Sequence, residues 1–239
     1  MLGPQSERSR GKKSLILDLD ETLVHSSFRP PASDDVIELP VEIDNKKFRV
    51  YVLVRPNAVQ FLKELAAYYE LIIFTASLAK YANPLMDILD EDRCCSARLS
   101  RDHCTFYQGM YVKDLAELGR DLRDVLIIDN SPTAYLFQPD NALPIISWYD
   151  DVNDRCLYDY IPFLKALSKV DDVRPILKQL NQASMENDVN LQYGMQLIAD
   201  YLRSQDADDP QLRRLPADPE HEEDSERDSA LGRPSQRGQ

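Results

Sequence analysis

The chain has 239 residues, of which 43% are hydrophobic and 29% charged, enough for one sizeable domain with an appendage. A net charge of −13 argues against direct nucleic-acid binding, because phosphate backbones require a basic surface. No apolar run reaches the ~18 residues of a membrane span, the N-terminus lacks the apolar core of a signal peptide, and four cysteines without a C-x-x-C pair predict reduced thiols, not a zinc site or disulfides.

Residues 1–13 read as a disordered basic arm. Its Arg8, Arg10, Lys12 and Lys13 are either simply solvated or a weak nuclear address. Residues 14–18 form the first buried strand. A strand-rich insertion follows over 36–54, with Asp44-Asn45 as the turn between 36–43 and 46–54. Residues 55–69 have helical periodicity, 70–75 are a second buried strand, and 77–91 are helical with an interruption expected near Pro84. Short pieces at 97–99, 105–107 and 110–114 lead to a third buried strand over 125–130. A further strand at 142–148 precedes helices at 155–170 and 171–180. This alternation predicts an α/β domain over 14–180 with a mostly parallel sheet flanked by helices. In 181–204, Leu191, Met195, Ile198 and Leu202 form one face of an amphipathic helix that docks on the domain or holds a partner. Residues 205–239 contain ten Asp/Glu, five Arg and no aromatic residue, which reads as a disordered acidic tail.

Three of the strands end alike. Leu15-Ile16-Leu17 runs into Asp18, the run at 71–74 ends on Thr75, and the run at 126–128 ends on Asp129-Asn130. Each alone reads as a strand end or a helix cap. A parallel sheet delivers all its carboxyl ends to one edge, where ligands bind. With Asp20 two residues beyond Asp18, the set reads as a site. Carboxylates and an amide without histidine are hard oxygen donors that suit Mg²⁺, which keeps water and phosphate in its other positions. An ionised aspartate is a ready nucleophile able to form an aspartyl-phosphate. A neighbouring carboxyl of raised pKa can donate a proton to the leaving group. Thr75 and Lys113 supply a hydroxyl and a cation for the phosphoryl oxygens; taken alone, Lys113 reads as a surface lysine.

Asp18 to Thr22, DLDET, matches the D-x-D-x-T signature of the haloacid dehalogenase superfamily of aspartate-nucleophile phosphatases. The fuller stretches 17–28, 74–84, 109–122, 127–135 and 147–151 resemble the small phosphatases of the RNA polymerase II C-terminal domain, over residues 14–180. The resemblance implies a haloacid dehalogenase-like fold with a small β-hairpin or three-stranded insertion. It implies Asp18 as nucleophile and Asp20 as acid/base, with Asp18, the Asp20 carbonyl and Asn130 around Mg²⁺ and Asp129 beside them at the metal site, orienting Lys113 or a metal-bound water. Thr75 and Lys113 would hold the phosphoryl oxygens. It implies an apolar pocket for a proline near the phosphoserine at Phe28, Val41, Ile43, Val50, Leu78 and Tyr81, with several of these equally readable as core. Arg101 matches a family arginine near the substrate and, with Arg29, Arg55 and Lys80, is expected to form a positive rim. The loop Arg29–Glu38 is about one residue longer than in the family pattern.

The expectation is therefore a monomeric, Mg²⁺-dependent protein serine/threonine phosphatase, nuclear and also compatible with the cytoplasm. Its expected partner is a phosphorylated protein, the RNA polymerase II C-terminal domain at Ser-Pro sites. The alternatives are another phosphoprotein, such as a nuclear-envelope or membrane-associated regulator, or a non-catalytic binding module of the same fold.

Overall fold

The apolar runs form the centre of the molecule because they are buried on both faces. The computed structural model describes residues 1–43, 45–184 and 189–208. Strands β1 (Lys13–Leu17), β5 (Tyr69–Phe74), β6 (Cys95–Leu99), β9 (Val125–Asp129) and β10 (Ala142–Pro144) form a five-stranded sheet of order β10-β9-β1-β5-β6. All its pairings are parallel. Alternation along each strand assigns the two faces. Leu15, Leu17, Leu71, Ile73, Leu126 and Ile128 enter the larger core. Ile16, Ile72, Phe74, Val125 and Ile127 enter a smaller one, closed by Leu115, Leu118 and Tyr135.

Helices α1 (Ala58–Leu65), α2 (Ala79–Leu89), α3 (Cys156–Leu167) and α4 (Arg174–Ala183) contribute their buried faces to the larger core. α2 and α3 run through Pro84 and Pro162 without a break, so the interruption expected near Pro84 is absent. Each proline removes one backbone donor, and the buried residues on either side hold the helix together: Tyr81, Ala82, Leu85 and Met86 around Pro84. α1 starts later than its periodicity predicts, because Asn57 adopts a left-handed conformation (φ 67°) that ends the preceding turn.

The insertion is a three-stranded antiparallel sheet of order β2-β4-β3, built from β2 (Val24–Ser27), β3 (Ile37–Ile43) and β4 (Lys46–Val54). β2 has no clear alternation of its own and is placed by pairing with β4, Val24 opposite Val54. A two-stranded hairpin, β7 (Thr105–Tyr107) and β8 (Met110–Val112), projects near the carboxyl edge of the main sheet.

The N-terminal arm departs from the expectation of disorder. The Met1 amino group donates to the Glu117 carbonyl at 2.8 Å, Arg8 donates to the Arg93 carbonyl at 2.9 Å, and Lys12 donates to the Ala66 carbonyl at 2.8 Å. Gln5 reaches Glu70 at 3.1 Å, and Ser9 is buried against Ser96 at 3.1 Å. The arm's cations find carbonyls left open at loop and helix ends, a pairing that local composition does not reveal.

Helix α5 (Leu191–Asp208) docks through Leu191, Ile198, Tyr201 and Leu202. Met195, expected on that face, is 40% exposed. Gly194 takes its place: a Cβ there would stand 2.7 Å from Phe163 Cε2 and 3.3 Å from Leu180 Cδ2, so the glycine lets α5 approach α3 and α4. The acidic tail expected over 205–239 lies outside the described residues beyond Asp208. Among the described residues no helix is long and apolar enough to cross a membrane.

Candidate active site

Register brings the three strand ends level. Leu17 pairs with Ile73 on one side and Ile128 on the other, so Asp18 leaves β1 beside Asp129 and close to the end of β5. The Asp18 amide donates to the Ile128 carbonyl at 3.0 Å, and the Thr75 amide to the Leu99 carbonyl at 2.9 Å. Beyond Asp18 the chain closes a tight turn in which Leu23 and Val24 amides donate to the Leu19 carbonyl at 2.9 and 3.1 Å. Leu19 is fully buried, which turns Asp18 and Asp20 toward the cavity. Glu21 takes φ 56°, and its carbonyl accepts the Trp148 amide at 2.8 Å.

The cavity here has a volume of about 590 Å³ and is lined by Asp18, Asp20, Thr75, Lys113, Asp129 and Asn130 among others. Lys113 is only 2% exposed, contrary to the surface-lysine reading, and donates at 2.5 Å to both Asp18 Oδ1 and Asp129 Oδ2. Burial opposes its charge, but the two carboxylates outweigh it, so its pKa lies above the ordinary lysine value. Burial, and then the negative charge of Asp18, raise the Asp129 carboxyl against the pull of Lys113. The Ser131 amide donates to Asp129 Oδ1 at 2.8 Å and fixes the ring of contacts.

Asp20 turns its carboxyl away from this pair. Ser77 Oγ donates to its Oδ2 at 2.7 Å, Thr75 Oγ1 to the same oxygen at 3.3 Å, and the Tyr81 hydroxyl to Oδ1 at 2.9 Å. Burial raises its pKa, the Ser77 hydrogen bond opposes that, and the Asp18 charge adds to it. The net shift is upward, toward a carboxyl able to carry a proton.

The oxygens suit a hard cation. Thr22 Oγ1 donates to Asp18 Oδ2 at 3.0 Å and lies 3.4 Å from Asn130 Oδ1, while Asn130 Nδ2 donates to Ser147 Oγ at 2.8 Å. That orientation turns the amide oxygen of Asn130 toward Asp18. Among the described residues no group of three or more His, Cys, Asp or Glu gathers as a metal cluster. The carboxylates of Asp18 and Asp129 and the amide of Asn130 form a sparse oxygen set, which fits an ion that retains several waters.

Six of the seven residues expected around a substrate pocket line one cavity. Phe28, Val41, Val50, Leu78, Tyr81 and Arg101 line a pocket of about 220 Å³ with Ser26, Ser27 and Ser77. Phe28 is 68% exposed and rests on Phe48, with ring centroids 5.9 Å apart. Val41, Val50 and Tyr81 are buried members of the core that present only an edge to the pocket. Ile43 pairs with Lys46 at the hairpin end, and its side chain lies outside the described part of the structure. Arg101 is half-buried, donating from Nε to the Ala76 carbonyl at 2.6 Å.

Arg55 does not join the positive rim. It is fully buried and binds Asp154 in a bidentate pair, Nε to Oδ1 and Nη2 to Oδ2, both 2.8 Å. Its Nη1 donates to the carbonyls of Thr22 at 3.1 Å and Ile146 at 3.2 Å, which braces the turn carrying Asp20. Sequence reasoning also missed Ser77 and Tyr111 in the cavity lining and the contact of Tyr81 with Asp20. Serine and tyrosine next to matched motif residues carried no spacing signal of their own.

Residues 13–174 match the profile of the NLI interacting factor-like phosphatases. The human carboxy-terminal domain RNA polymerase II polypeptide A small phosphatase 1 is 54% identical over 168 residues, 70% of this chain and 64% of that protein. The Drosophila melanogaster phosphatase Herzog is 51% identical over 181 residues, 76% of this chain and 51% of that protein. The chain thus spans between half and two thirds of the length of these relatives. A structure of the fission yeast RNA polymerase II CTD phosphatase Fcp1 bound to beryllium fluoride superposes with a TM-score of 0.53 at 20% identity, covering 82% of this chain and 65% of that one. That likeness supports the haloacid dehalogenase-like fold. With two thirds of its length inside the family profile and relatives above half identity, this chain belongs to the NLI interacting factor-like phosphatase family.

Proposed function

We propose that the protein is a phosphoprotein phosphatase that hydrolyses phosphoserine esters in Ser-Pro sites, with the RNA polymerase II C-terminal domain, encountered in the nucleus, as its substrate. The observation that carries this reading is Lys113 clasped between Asp18 and Asp129, with Asp20 held apart by Ser77 and Tyr81. Two carboxylates two residues apart thus have different surroundings, one paired with the Lys113 cation and the other, raised by burial, able to hold a proton.

Asp18 attacks phosphorus through a carboxylate oxygen, a P–O(Asp) bond forms and the P–O(Ser) bond breaks. Asp20 gives its proton to the departing serine oxygen. Water then attacks the aspartyl-phosphate, Asp20 takes a proton from it, and cleavage of the P–O(Asp) bond frees phosphate and Asp18. Thr75 and Lys113 face the phosphoryl oxygens and offset their charge. The Asp18 carboxylate, the Asp20 carbonyl, Asn130 and Asp129 would hold Mg²⁺, which supplies further charge neutralisation at the transferring group.

The test is turnover of an aryl phosphate and of single-phosphoserine peptides, with Mg²⁺ present. Asp18→Asn is expected to abolish both, and normal turnover by that variant would sink the mechanism. Equal rates with and without proline after the phosphoserine would remove the pocket of Phe28 from substrate recognition.

A further inference from the structure

Beside the active-site cavity the chain holds two rings in water. Across the hairpin, Phe106 pairs with Tyr111, their ring centroids 5.3 Å apart and their planes tilted by 56°. Phe106 is 66% exposed. The guanidinium of Arg101 lies over the Tyr111 ring, 5.0 Å from its centroid. Single exposed apolar residues are ordinary, but a paired platform with a cation over it is not scattered surface.

Strand alternation aims this platform. Tyr111 and Lys113 flank the buried Val112, and Tyr111, Lys113 and Arg101 all line the active-site cavity. Arg101 also lines the apolar pocket of Phe28 and Tyr81. The guanidinium therefore separates two apolar surfaces, the pocket on one side and the Phe106–Tyr111 pair on the other.

We propose that Phe106 and Tyr111, with Arg101, form a second substrate subsite. It takes an aromatic side chain of the phosphorylated polypeptide, on the opposite side of the phosphoresidue from the apolar pocket. This rests on the phosphatase reading above. Continuity with the cavity identifies the occupant as the same chain that carries the phosphate. The two ring faces and the guanidinium favour a third ring, which they can meet edge-on or stacked. At ~3.3 Å per extended residue, Tyr111 stands ~7 Å from Lys113, and the Phe106 ring lies about one further side-chain width out. The occupant is thus about two to four residues from the phosphoserine.

The experiment uses the full chain with Mg²⁺ and phosphoserine peptides in which tyrosine, leucine or alanine is placed at successive positions on either side. Within each variant, kcat/KM is divided by that for an aryl phosphate. Tyrosine on one side is expected to raise this ratio about 5- to 20-fold over alanine, through KM, and to exceed leucine. Phe106→Ala is expected to erase the gain. Tyr107→Ala, on the opposite face of the same hairpin and packed on Phe137, is expected to keep it. A tyrosine gain absent from the wild type, or surviving Phe106→Ala, or lost equally in Tyr107→Ala, overturns the subsite. If the wild type turns over no ester, the phosphatase reading fails by itself. Fluorescence anisotropy with the same peptides then decides the subsite by the same comparison of variants.

Discussion

Arg55→Met isolates what one buried guanidinium does for the active-site turn. Methionine keeps most of the apolar stem, so the loss is that of charge and hydrogen bonds. Truncating one partner of a buried ion pair costs ~3–5 kcal/mol, and the lower end applies because the Asp154 side chain is 17% exposed and can rehydrate. The Thr22 and Ile146 carbonyls also lose a donor, adding ~1 kcal/mol each. A total of ~5 kcal/mol is a large part of the ~5–15 kcal/mol that holds a domain folded. Trp148 is the chain's single tryptophan, 5% exposed, and its indole donates to the Asp151 carbonyl at 2.9 Å, within the loop that Arg55 braces. Its fluorescence reports urea unfolding of that loop directly. With a slope of ~2 kcal/mol per molar urea, the midpoint falls by ~2.5 M. Arg55→Met combined with Asp154→Ala is expected to lose ~2 kcal/mol less than the sum of the two single variants, because neither charge is then stranded. A midpoint shift below ~0.5 M, or strict additivity, would refute the bracing argument.

The close approach at Gly194 predicts that Gly194→Ala destabilises by ~1 kcal/mol, overpacking against Phe163 exceeding the gain in helix propensity, whereas Met195→Ala stays within ~0.5 kcal/mol; urea midpoints of both variants check this. Burial raises Glu70, but hydrogen bonds from Arg120, Ser14 and Gln5 more than offset it, so its folded pKa lies below the ordinary 4.5. Its stabilisation is therefore complete above about pH 4.5 and lost as pH falls through the folded pKa; Glu70→Gln should flatten the acid limb of a stability profile, and an unchanged limb would remove Glu70 from it. If Asp20 donates to the leaving group, Asp20→Asn should slow serine-phosphate hydrolysis ~10²–10⁴-fold and an activated aryl phosphate much less, since a good leaving group needs little protonation. Equal losses on both substrates would contradict that role.

The chemistry was legible where it depends on local order. Three apolar runs ending at Asp18, Thr75 and Asp129 already imply one sheet edge, because parallel strands buried on both faces must deliver their ends together. Asp20 follows from spacing, and Phe28 from its polar flanks. The parallel order of β9, β1 and β5 adds the register that makes those ends level. The short strand β2 carries no periodic signal, since its residues are placed by pairing with a strand formed later in the chain.

Charge burial was decided by tertiary contacts alone. Lys113 and Arg55 are ordinary surface residues by type, and each is buried because acidic partners lie 95 and 99 positions away in sequence, at Asp18 and Asp154. The N-terminal arm and Gly194 show the same limit from the side of packing: arginine and lysine in a polar arm suggest solvent, and glycine in an amphipathic helix suggests nothing, until a specific carbonyl or ring approaches. By itself the sequence determined the three buried strands that end on Asp18, Thr75 and Asp129, their shared edge and the acids placed on it, all set by patterns a few residues long. Which cations are folded inside, which side chains turn Asp20 away from Asp18, and which helix face is closed were settled only in three dimensions, because the free energy of burying a charge or closing a gap depends on partners that no local window contains.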